Sequence, residues 1–448
     1  MKITSVILAA GQGTRMKSNL PKVLHPVCGK PMVWHALQAA KVVTKETPVM
    51  VVGHGADRVR EVIGEAARFV AQEERLGTGH AVQQAESALK GNTDLVLVSA
   101  ADMPLLSGET FAKLVETQKA NSGPMSMLTI IADDPRGFGR IVRGEDGGVQ
   151  AIVEEADATE AQQAIRELNV GAYCFDADWL WDALSRIPLS AKGEYYLTDT
   201  VGLAVDAGMH VSAVILDDEI EAIGVNTRIH LAEAETGMRS RVNRAHMLNG
   251  VTLIDPASTY IGMDVKIGQD TVIQPNTFLR GETTIGEGCD IGPNSIITDC
   301  EIGDRCEILS SVLMQATLED DVDMGPFARL RKGAYLSKGV HMGNFGEVKD
   351  SVLREGVKMG HFSYIGNADI GAGTNIGAGT ITCNYDGEKK HHTKIGEDVF
   401  IGSDTMLVAP LELGDRARTG AGAVVTKNVK EDTLVVGMPA RAIRNLKK

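Results

Sequence analysis

Residues 261–292 read IGMDVKIGQDTVIQPNTFLRGETTIGEGCDIG, in which isoleucine followed by glycine stands at positions 261, 267, 285 and 291. The same pattern of an aliphatic residue and glycine continues at Ile302, Met359, Ile365, Ile370, Ile376, Ile395, Ile401 and Leu413. Repetition every six residues is typical of a parallel β-helix, in which each hexad supplies one short strand and one turn. The aliphatic side chain points into a narrow prism and the glycine relieves the corner. We therefore predict a β-helix over residues 251–448.

These repeats resemble those of the hexapeptide acyltransferases. The resemblance implies a left-handed coil, which is an exception to the right-handed crossover rule. It also implies a homotrimer, because flat prism faces gain burial when they pack together. Residues 382–393 break the rhythm of six, so we expect them to form a loop that leaves the coil.

The N-terminal half follows a different pattern. Continuous apolar runs at 6–8, 49–52 and 95–98 are typical of buried parallel strands, and amphipathic stretches at 32–41 and 80–90 lie between them. This alternation predicts an α/β domain with an open, mostly parallel sheet covered by helices, similar to a Rossmann fold.

Two further segments complete the organisation of the chain. Residues 140–143 and 149–153, joined by the glycine-rich segment 144–148, predict an antiparallel hairpin. Residues 227–248 are rich in helix formers and precede Asn249-Gly250, so they predict a helix of about 30 Å. The predicted domains are thus 1–226, a linker helix at 227–250, and 251–448.

Composition narrows the class of protein. Lys and Arg total 45 against 59 Asp and Glu, a formal charge of −14, and no basic stripe offsets it. This argues against binding to nucleic acid or to an anionic membrane. The six cysteines are scattered without a CxxC pair, which favours free thiols over disulfides or zinc. The first apolar run is too short for a signal sequence, so we expect a cytoplasmic protein.

A glycine turn follows that first apolar run. Residues 8–16 read LAAGQGTRM and residues 20–22 read LPK. The segment lacks the third glycine of a dinucleotide-binding fingerprint and the Gly-Lys-Ser/Thr of a P-loop. What remains is a tight turn whose N–H groups can face a phosphate, followed by two cations, Arg15 and Lys22.

These motifs resemble those of the sugar-nucleotide pyrophosphorylases. Over nearly its whole length the chain resembles the bifunctional family that joins an N-acetylglucosamine-1-phosphate uridylyltransferase to a glucosamine-1-phosphate acetyltransferase. Further matching segments are Gln72 with 76–78, 102–105, 137–142, 152–159, 193–199 and 224–226. The implied reaction joins a sugar phosphate to the α-phosphorus of UTP, which requires charge neutralisation and positioning rather than a general base.

The resemblance also implies roles for individual residues. Arg15 and Lys22 are expected to be catalytic, and Mg²⁺ is expected to bind Asp102 and Asn226. UTP would contact Leu8, Ala9, Ala10, Gly11, Gly13, Lys22, Gln72, Gly77 and Thr78. N-acetylglucosamine 1-phosphate would contact Gly139, Glu154, Asn169 and Asn226. Taken alone, Asp102 could equally cap a helix, and Glu154 and Asn169 could be solvated hairpin residues.

Three positions depart from the family pattern. Ala101 precedes Asp102 where glycine is usual, which would put a methyl group near the nucleotide or the metal. Val170 replaces an expected threonine, which would remove a hydroxyl near the sugar. Met438 replaces an arginine that some relatives use for the phosphates of coenzyme A, a role that Arg441 or Arg444 could take over.

The hexads carry polar residues that a prism does not require. His361 is the expected general base, because an amine that attacks a thioester must lose a proton and imidazole titrates in the right range. By resemblance, glucosamine 1-phosphate would contact Arg331, Lys349, Tyr364, Asn375 and Lys390. Acetyl-CoA, the co-substrate, would contact Ala378, Asn384, Tyr385, Ser403 and Ala421. Asn384 would orient the imidazole or the amine, whereas His341 is expected to be structural and His391 and His392 solvated.

Two alternatives remain open at this point. The chain could be a single-function sugar-1-phosphate nucleotidyltransferase whose β-helix has no catalytic role. It could also be a trimeric scaffold without activity. The first predicts a β-helix without the set of His361, Arg331, Lys349, Asn384 and Tyr385, and the second leaves Lys22, Asp102 and Asn226 without a purpose.

Overall fold

The computed structural model describes residues 1–145 and 147–446, and the chain divides into two compact units. The first unit spans Met1–Met238 and the second begins at Arg239. Asp146, in the turn of the predicted hairpin, lies outside the described residues. The boundaries at 226 and 250 stay predictions.

The first unit is built on one open sheet. Its strands are β1 (Ile3–Ala9), β2 (Val49–Val52), β3 (Arg68–Ala71), β4 (Leu95–Ala100), β5 (Met125–Ile131), β6 (Arg140–Arg143), β7 (Val149–Val153), β8 (Glu167–Asp176) and β9 (Val211–Ile215). The order across the sheet is β9-β5-β8-β4-β1-β2-β3, and β6 and β7 form the hairpin beside β8. Only β8 runs antiparallel to its neighbours β4 and β5 along this path, so the predicted mostly parallel sheet is confirmed.

Helices cover both faces of this sheet. They are α1 (Met32–Val43), α2 (Ala56–Ile63), α3 (Thr78–Gln83), α4 (Glu86–Leu89), α5 (Gly108–Ala120), α6 (Glu160–Gln163), α7 (Ala177–Leu184) and α8 (Asp199–Asp206). Successive strand residues point to opposite faces. Val6 therefore packs in the same apolar cluster as Trp181 of α7, whereas Ile7 packs in the same cluster as Leu37 of α1.

The second unit is a stack of short strands in three sheets. The first sheet comprises Thr252–Leu253, Val272–Ile273, Asp290–Ile291, Glu307–Ile308, Asp323–Met324, His341–Met342, Lys358–Met359, Asn375–Ile376, Phe400–Ile401, Arg418–Thr419, Thr433–Gly437 and Ala440–Asn445. The second comprises Tyr260–Ile261, Phe278–Arg280, Ile296–Thr298, Val312–Met314, Arg329–Leu330, Gly346–Lys349, Ser363–Gly366, Ile381–Cys383, Met406–Val408 and Val424–Val425. The third comprises Lys266–Ile267, Thr284–Ile285, Glu301–Ile302, Thr317–Leu318, Ala334–Leu336, Ser351–Leu353, Ala368–Ile370, Thr393–Ile395 and Leu411–Leu413.

Each strand pairs in parallel with the equivalent strand one coil later, except for the last two strands of the first sheet, which form an antiparallel hairpin. Ile273 lies beside Ile291, one coil of 18 residues away. Ile376 lies beside Ile401, 25 residues away, because that coil carries the predicted loop. The register gives the stacked architecture of the predicted left-handed β-helix.

Hydrophobic side chains fill the inside of the prism. Ile273, Ile291, Ile308 and Met342 stack in one column, and each is at most 1% exposed. Corner residues adopt left-handed backbone conformations, as at Asp270 with φ 58°, a conformation that Asp and Asn tolerate better than most residues.

The helix predicted after residue 227 is α9, Arg228–Leu248, and the division between the two units falls within it. In the described part of the chain no helix is both long and apolar enough to cross a membrane.

Candidate functional site

The glycine turn after β1 holds Lys22 in position. Gly13 has φ 65°, and a Cβ at this residue would lie 2.5 Å from the Cβ of Lys22. Only glycine can both adopt this conformation cheaply and leave space for the lysine side chain. The two predicted residues Gly13 and Lys22 are therefore a packing pair.

Lys22 joins the two residues predicted to bind Mg²⁺. Its Nζ lies 2.5 Å from Asp102 Oδ2 and 3.1 Å from Asn226 Oδ1. The side chains of Lys22 and Asp102 are 11% and 23% exposed, so this ion pair is partly buried at the cavity. Distant parts of the chain thus bring one cation, one carboxylate and one amide oxygen together.

Backbone pairing explains why Asp102 and Asn226 meet. Asp102 follows β4 at the carboxyl edge of the sheet, where open α/β sheets bind ligands. The N–H of Val225 donates to the carbonyl of Asp102 over 2.8 Å, which brings Asn226 alongside. At Gly224 a Cβ would lie 3.1 Å from the sulfur of Met103, so a larger residue would displace the Met103 side chain by a few tenths of an ångström.

A second strand-like pairing shapes the loop that contains Gly77 and Thr78. The N–H of Tyr195 donates to the carbonyl of Leu76 over 2.7 Å, and Gly79 N–H donates to the carbonyl of Tyr195 over 2.8 Å. The hydroxyl of Thr78 accepts the N–H of Leu197 at 3.0 Å. The segments 76–79 and 195–197, both quoted from the sequence, therefore form one structural element.

The predicted sugar residues converge around Glu154. The N–H of Asn169 donates to the carbonyl of Gly139 over 2.9 Å, and a Cβ at Gly139 would lie 3.8 Å from Glu154 Oε2. Thr198 Oγ1 donates to Glu154 Oε1 over 3.1 Å. Burial raises the pKa of Glu154, and the hydrogen bond from Thr198 opposes that rise. Asn169 is buried and Glu154 is half-buried, so the alternative that both are solvated hairpin residues is wrong.

Arg140 holds the segments around Gly139 and Glu154 together through two hydrogen bonds. It is 1% exposed, and its Nη1 donates to the carbonyl of Phe138 over 2.5 Å and to Glu155 Oε2 over 2.6 Å. The guanidinium therefore joins the residue before Gly139 to the residue after Glu154. The sequence motif contained Arg140, but nothing in the sequence indicated this role.

Most of the residues predicted to contact the nucleotide line one cavity of about 410 Å³. Its lining includes the predicted residues Leu8, Ala9, Ala10, Gly11, Lys22, Gln72, Gly77, Thr78, Asp102 and Glu154. Val23, Arg75, Ala81, Ala100, Glu194 and Tyr196 also line it and were not predicted. Arg75 Nη1 donates to Gln12 Oε1 over 2.5 Å, a contact between segments that no local pattern connects. Arg15 is exposed on the glycine turn and does not line the cavity.

Two of the sequence departures act differently from expectation. Ala101 is 0% exposed and packs in the apolar cluster of Ile7, so its methyl group faces the core and Ala100 lines the cavity instead. Val170 is 2% exposed and packs in the cluster of Leu168. Both side chains were expected near ligands and both are core residues.

In the second unit, a cavity of about 600 Å³ lies along the first sheet and the corner that follows it. It is lined by His341, Lys358, Gly360, His361, Asn375, Ile376, Gly377, Ala378, Phe400, Ile401, Gly402, Ser403, Thr419, Gly420 and Ala421. The lining includes the expected base, His361, and three of the residues expected to contact acetyl-CoA: Ala378, Ser403 and Ala421. We refer to it as the coil cavity.

A cationic group lies on the second sheet and the corner after it. Arg331 Nη1 contacts Glu347 Oε1 at 2.9 Å, and Lys349 Nζ lies 3.6 Å from Asp350 Oδ2. Lys349 also contacts Lys390, and this neighbouring ammonium lowers the pKa of Lys390 by hydrogen bonding and by like-charge repulsion. Arg331, Lys349 and Lys390 form what we call the cation cluster.

Tyr364 and Asn384 lie beside the cation cluster and do not line the coil cavity. A Cβ at Gly366 would lie 2.5 Å from Tyr364 Oη and 2.9 Å from Asn384 Nδ2. Asn384 Nδ2 donates to Asn367 Oδ1 over 2.7 Å, so within one chain its amide is not bonded to His361. That Asn384 orients the imidazole or the amine therefore stays a prediction.

Two histidines differ from their expected roles. His341 Nδ1 lies 2.5 Å from Asp323 Oδ1, and the ring lines the coil cavity rather than serving the core. His391 Nε2 lies 2.5 Å from Asp386 Oδ2, so it is paired rather than merely solvated. That contact, after the backbone N–H of Lys389, lowers the pKa of Asp386.

The C-terminal hairpin carries the last departure. Met438 is 78% exposed between Thr433–Gly437 and Ala440–Asn445. Arg441 and Arg444 are exposed on the second of these strands and do not line the coil cavity. The exposed Tyr385 donates its hydroxyl to the carbonyl of Gly387 over 2.6 Å, within the protruding loop.

Both sites have the architecture of known transferase classes. An open α/β sheet with this glycine turn is typical of nucleotidyltransferases, and the hexad coil is typical of hexapeptide acyltransferases. Residues 5–164 match the family model of the MobA-like NTP transferase domain. Residues 264–299 and 392–427 match the bacterial transferase hexapeptide family of six repeats.

Curated relatives identify the combination. The bifunctional protein GlmU of Heliobacterium modesticaldum is 48% identical over 97% of this chain and 95% of its own length. The bifunctional protein GlmU of Streptococcus agalactiae serotype V is 46% identical, and that of Brevibacillus brevis 47%, each with the same coverage. The chain therefore belongs to the family of bifunctional GlmU proteins. It is an enzyme with acetyltransferase and uridylyltransferase activities, and that prediction from the sequence is confirmed.

Proposed function

We propose that the first unit transfers UMP from UTP to N-acetylglucosamine 1-phosphate and releases pyrophosphate. The observation that carries this proposal is the convergence of Lys22, Asp102 and Asn226 beside a cavity that also contains Gln72 and Glu154. A phosphate oxygen of the sugar attacks the α-phosphorus, and the bond to the leaving pyrophosphate breaks. The attacking oxygen is already ionised, so the reaction needs positive charge and alignment rather than a base.

Lys22 supplies part of that charge. Its ammonium lies beside the nucleotide cavity, where it can neutralise phosphate oxygens as negative charge shifts to the leaving group. Arg15, exposed on the glycine turn, is the proposed second cation. We propose that the exposed guanidinium closes onto the triphosphate when UTP binds.

Mg²⁺ is the proposed metal of this site, and the donor set fits it. Asp102 and Asn226 offer a carboxylate and an amide oxygen, both hard ligands that already converge on one cation, the Lys22 ammonium. Among residues 1–145 and 147–446, no group of three or more His, Cys, Asp or Glu side chains could hold a metal. A two-ligand site suits Mg²⁺, which retains waters and binds substrate phosphates. When bound, the metal would neutralise phosphate charge.

The sugar is the proposed ligand of Gly139, Glu154 and Asn169. Gly139 leaves space for a close approach, and the half-buried carboxylate of Glu154 accepts hydrogen bonds from sugar hydroxyls. The side chain of Asn169 is held by the hydroxyl of Tyr173 at 2.8 Å and by the N–H of Gly171 at 3.1 Å. These contacts keep its amide in a fixed orientation.

We propose that the second unit transfers an acetyl group from acetyl-CoA to the amine of glucosamine 1-phosphate. The amine nitrogen attacks the thioester carbonyl, the C–S bond breaks, and the proton of the amine passes to the imidazole of His361. The thiolate of coenzyme A leaves and accepts a proton. General-base catalysis of this kind contributes about 10²–10⁴-fold to the rate. The coil cavity, which His361 lines, is the proposed acetyl-CoA site.

The sugar phosphate is the proposed ligand of the cation cluster, together with Tyr364, Asn375 and Asn384. Glu347 and Asp350 offset part of the charge of Arg331 and Lys349, and a phosphate dianion would relieve the repulsion that remains between Lys349 and Lys390. Asn375 lies in the first sheet and lines the coil cavity, whereas Tyr364 lies in the second sheet. Within one chain the two groups of residues therefore lie on different faces of the prism.

This separation supports a homotrimer in which each acetyl-transfer site combines the coil cavity of one subunit with the cation cluster of its neighbour. The test is a mixed oligomer of Lys349→Ala, which damages the cluster, and Ala421→Trp, which fills the cavity. Each variant alone is expected to be inactive in acetyl transfer. A mixture that is refolded or produced together is expected to regain about a quarter of the sites, those with both intact halves. If mixing regains nothing while the trimers form, the shared site is refuted.

The uridylyltransferase proposal has its own test. Asp102→Ala is expected to abolish Mg²⁺-dependent formation of UDP-N-acetylglucosamine and to leave acetyl transfer unchanged. Normal uridylyl transfer by Asp102→Ala would refute the metal assignment. We also propose the cytoplasm as the place of action, because UTP and acetyl-CoA are available there.

A further inference from the structure

The side chain of Arg228 connects the start of α9 to two separate turns near the N-terminus. Its Nε donates to the carbonyl of Met16 over 3.2 Å, and its Nη1 lies 3.2 Å from Nδ1 of His25. Met16 ends the helical turn Thr14–Met16, and His25 follows the helical turn Lys22–Leu24. One guanidinium therefore contacts two turns, each of which carries one of the proposed catalytic cations.

The contact with His25 is the fixed end of this link. His25 is 3% exposed, and burial together with the charge of Arg228 lowers the pKa of its imidazole. A guanidinium can only donate, so Nδ1 of the neutral ring accepts from it. The N–H of His25 donates to the carbonyl of Lys22 over 3.2 Å, and the N–H of Met32 donates to the carbonyl of His25 over 3.1 Å. Packing and backbone bonds thus hold this ring in place.

The helix that carries Arg228 is fastened to the same segment. The N–H of Cys28 donates to Glu235 Oε2 over 2.7 Å, and Glu235 lies about two turns beyond Arg228 in α9. Asn226 lies just before α9, and its Oδ1 is 3.1 Å from Lys22 Nζ. The position of the guanidinium is therefore fixed relative to the proposed metal ligand.

The turn Thr14–Met16 is the other end of the link. It is closed by two local bonds, from the N–H of Met16 to the carbonyl of Gly13 over 2.9 Å and from the N–H of Lys17 to the carbonyl of Thr14 over 3.1 Å. The side chain of Met16 is 1% exposed and anchors the turn by packing. Packing alone leaves the peptide of Met16 able to tilt, whereas the bond from Arg228 fixes the direction of its carbonyl.

We propose that Arg228 is a positioning residue that holds the turn of Arg15 in a fixed place relative to Lys22 and Asn226. This inference rests on the proposed roles of Arg15 as the second cation and of Asn226 as a metal ligand. Arg15 is exposed and must close onto the triphosphate, so it reaches the reacting phosphate only if its turn is aligned with the other two residues. A displacement of about 1 Å in such a group can cost about a hundredfold in rate.

The experiment uses two substitutions of Arg228 in the full chain. Arg228→Met removes both hydrogen bonds, so kcat for uridylyl transfer is expected to fall about ten- to hundredfold. KM for N-acetylglucosamine 1-phosphate should stay unchanged, because Glu154 and Asn169 lie on other segments; a general loosening of the first unit would raise it. Arg228→Lys keeps the charge, but one ammonium cannot occupy the positions of both Nε and Nη1, so its kcat should fall as well. A kcat of the wild type in Arg228→Lys would refute the inference, even if Arg228→Met does not fold.

Arg58→Met is the matched control. Arg58 Nη1 donates to the carbonyl of Asn19 over 3.1 Å, a bond of the same kind to a residue that lies between the two turns and in neither of them. This variant should keep the kcat of the wild type. An equal loss in Arg58→Met would show that any bond to this loop matters, and the specific role of Arg228 would be wrong.

A double-mutant cycle with Arg15→Ala separates the inference from the proposal beneath it. If Arg228 acts through Arg15, the double variant Arg15→Ala, Arg228→Met should have the same kcat as Arg15→Ala alone. Losses that multiply would refute the inference and leave the role of Arg15 intact. If Arg15→Ala alone keeps the kcat of the wild type, the assignment of Arg15 fails and the inference falls with it.

Discussion

Substitution of Gly77 by alanine should damage the nucleotide site by a calculable amount. Gly77 has φ 99° and ψ 179°, a region that is essentially restricted to glycine and that costs other residues about 1–3 kcal/mol. A Cβ there would lie 2.5 Å from the carbonyl oxygen of Tyr195, which is backbone and cannot simply rotate away. Overpacking of this kind costs about 1–3 kcal/mol more. The expected total is about 2–6 kcal/mol.

Thermal unfolding and kinetics measure this effect together. For a unit of this size each kcal/mol shifts Tm by about 2–4 °C, so the transition of the first unit should fall by at least about 4 °C. The loop pairing between Leu76 and Tyr195 should loosen, and KM for UTP should rise, whereas acetyl transfer should be unaffected.

Gly91→Ala is the matched control. Gly91 is also left-handed, with φ 73°, but a Cβ there would have open space within 4 Å. It should therefore show only the backbone cost, about 1–2 kcal/mol, and a normal KM for UTP. If Gly77→Ala is no less stable than Gly91→Ala and binds UTP normally, the reasoning about the contact with Tyr195 is refuted.

Three further predictions concern the proposed sites. Because Lys349 lowers the pKa of Lys390, Lys390 loses its proton at a lower pH than an ordinary lysine. KM for glucosamine 1-phosphate should therefore begin to rise at a pH below the ordinary range of lysine, and should rise less steeply in Lys390→Arg, which keeps its charge. A parallel rise in both proteins would show that only the substrate titrates. Thr198→Val removes the hydrogen bond that opposes the raised pKa of Glu154, so the acidic rise in KM for N-acetylglucosamine 1-phosphate should begin at higher pH, whereas Thr198→Ser should resemble the wild type. An unchanged acid limb in Thr198→Val would contradict this. Arg140→Met should raise KM for the same sugar about tenfold, through lost charge-assisted bonds, and leave KM for UTP unchanged; equal rises in both would indicate general unfolding.

The architecture could be predicted from the sequence because periodicity is a local property. The hexads around Ile273 and Ile291 predicted the coil, and the apolar runs of β1, β2 and β4 predicted the parallel sheet. The lining of the nucleotide cavity was also largely predicted, because residues such as Gly77 and Asp102 lie in short motifs. Resemblance to a family rather than periodicity supplied their roles.

What could not be predicted depends on contacts between distant segments. Arg140 looked like an ordinary strand residue, and its role follows only from where Phe138 and Glu155 lie in space. The sequence put Ala101 and Val170 next to site residues, but both side chains turn to the core. Ala101 follows the end of β4 and packs in the apolar cluster of Ile7, whereas Val170 lies in β8 on the face opposite to Asn169. The histidines His341 and His391 could be assigned only once Asp323 and Asp386 were seen beside them.

The stacking of the β-helix also bears on how its length can change. Each coil bonds only to the coils directly before and after it, as between Ile273 and Ile291. Removing or adding a whole coil would therefore leave every remaining coil with equivalent neighbours. The free energy of unfolding would change by roughly the intrinsic stability of one coil and the interaction energy between two neighbouring coils. Such a domain can grow or shorten by whole coils during evolution, provided that the coils that carry His361 and Lys349 keep their spacing along the axis.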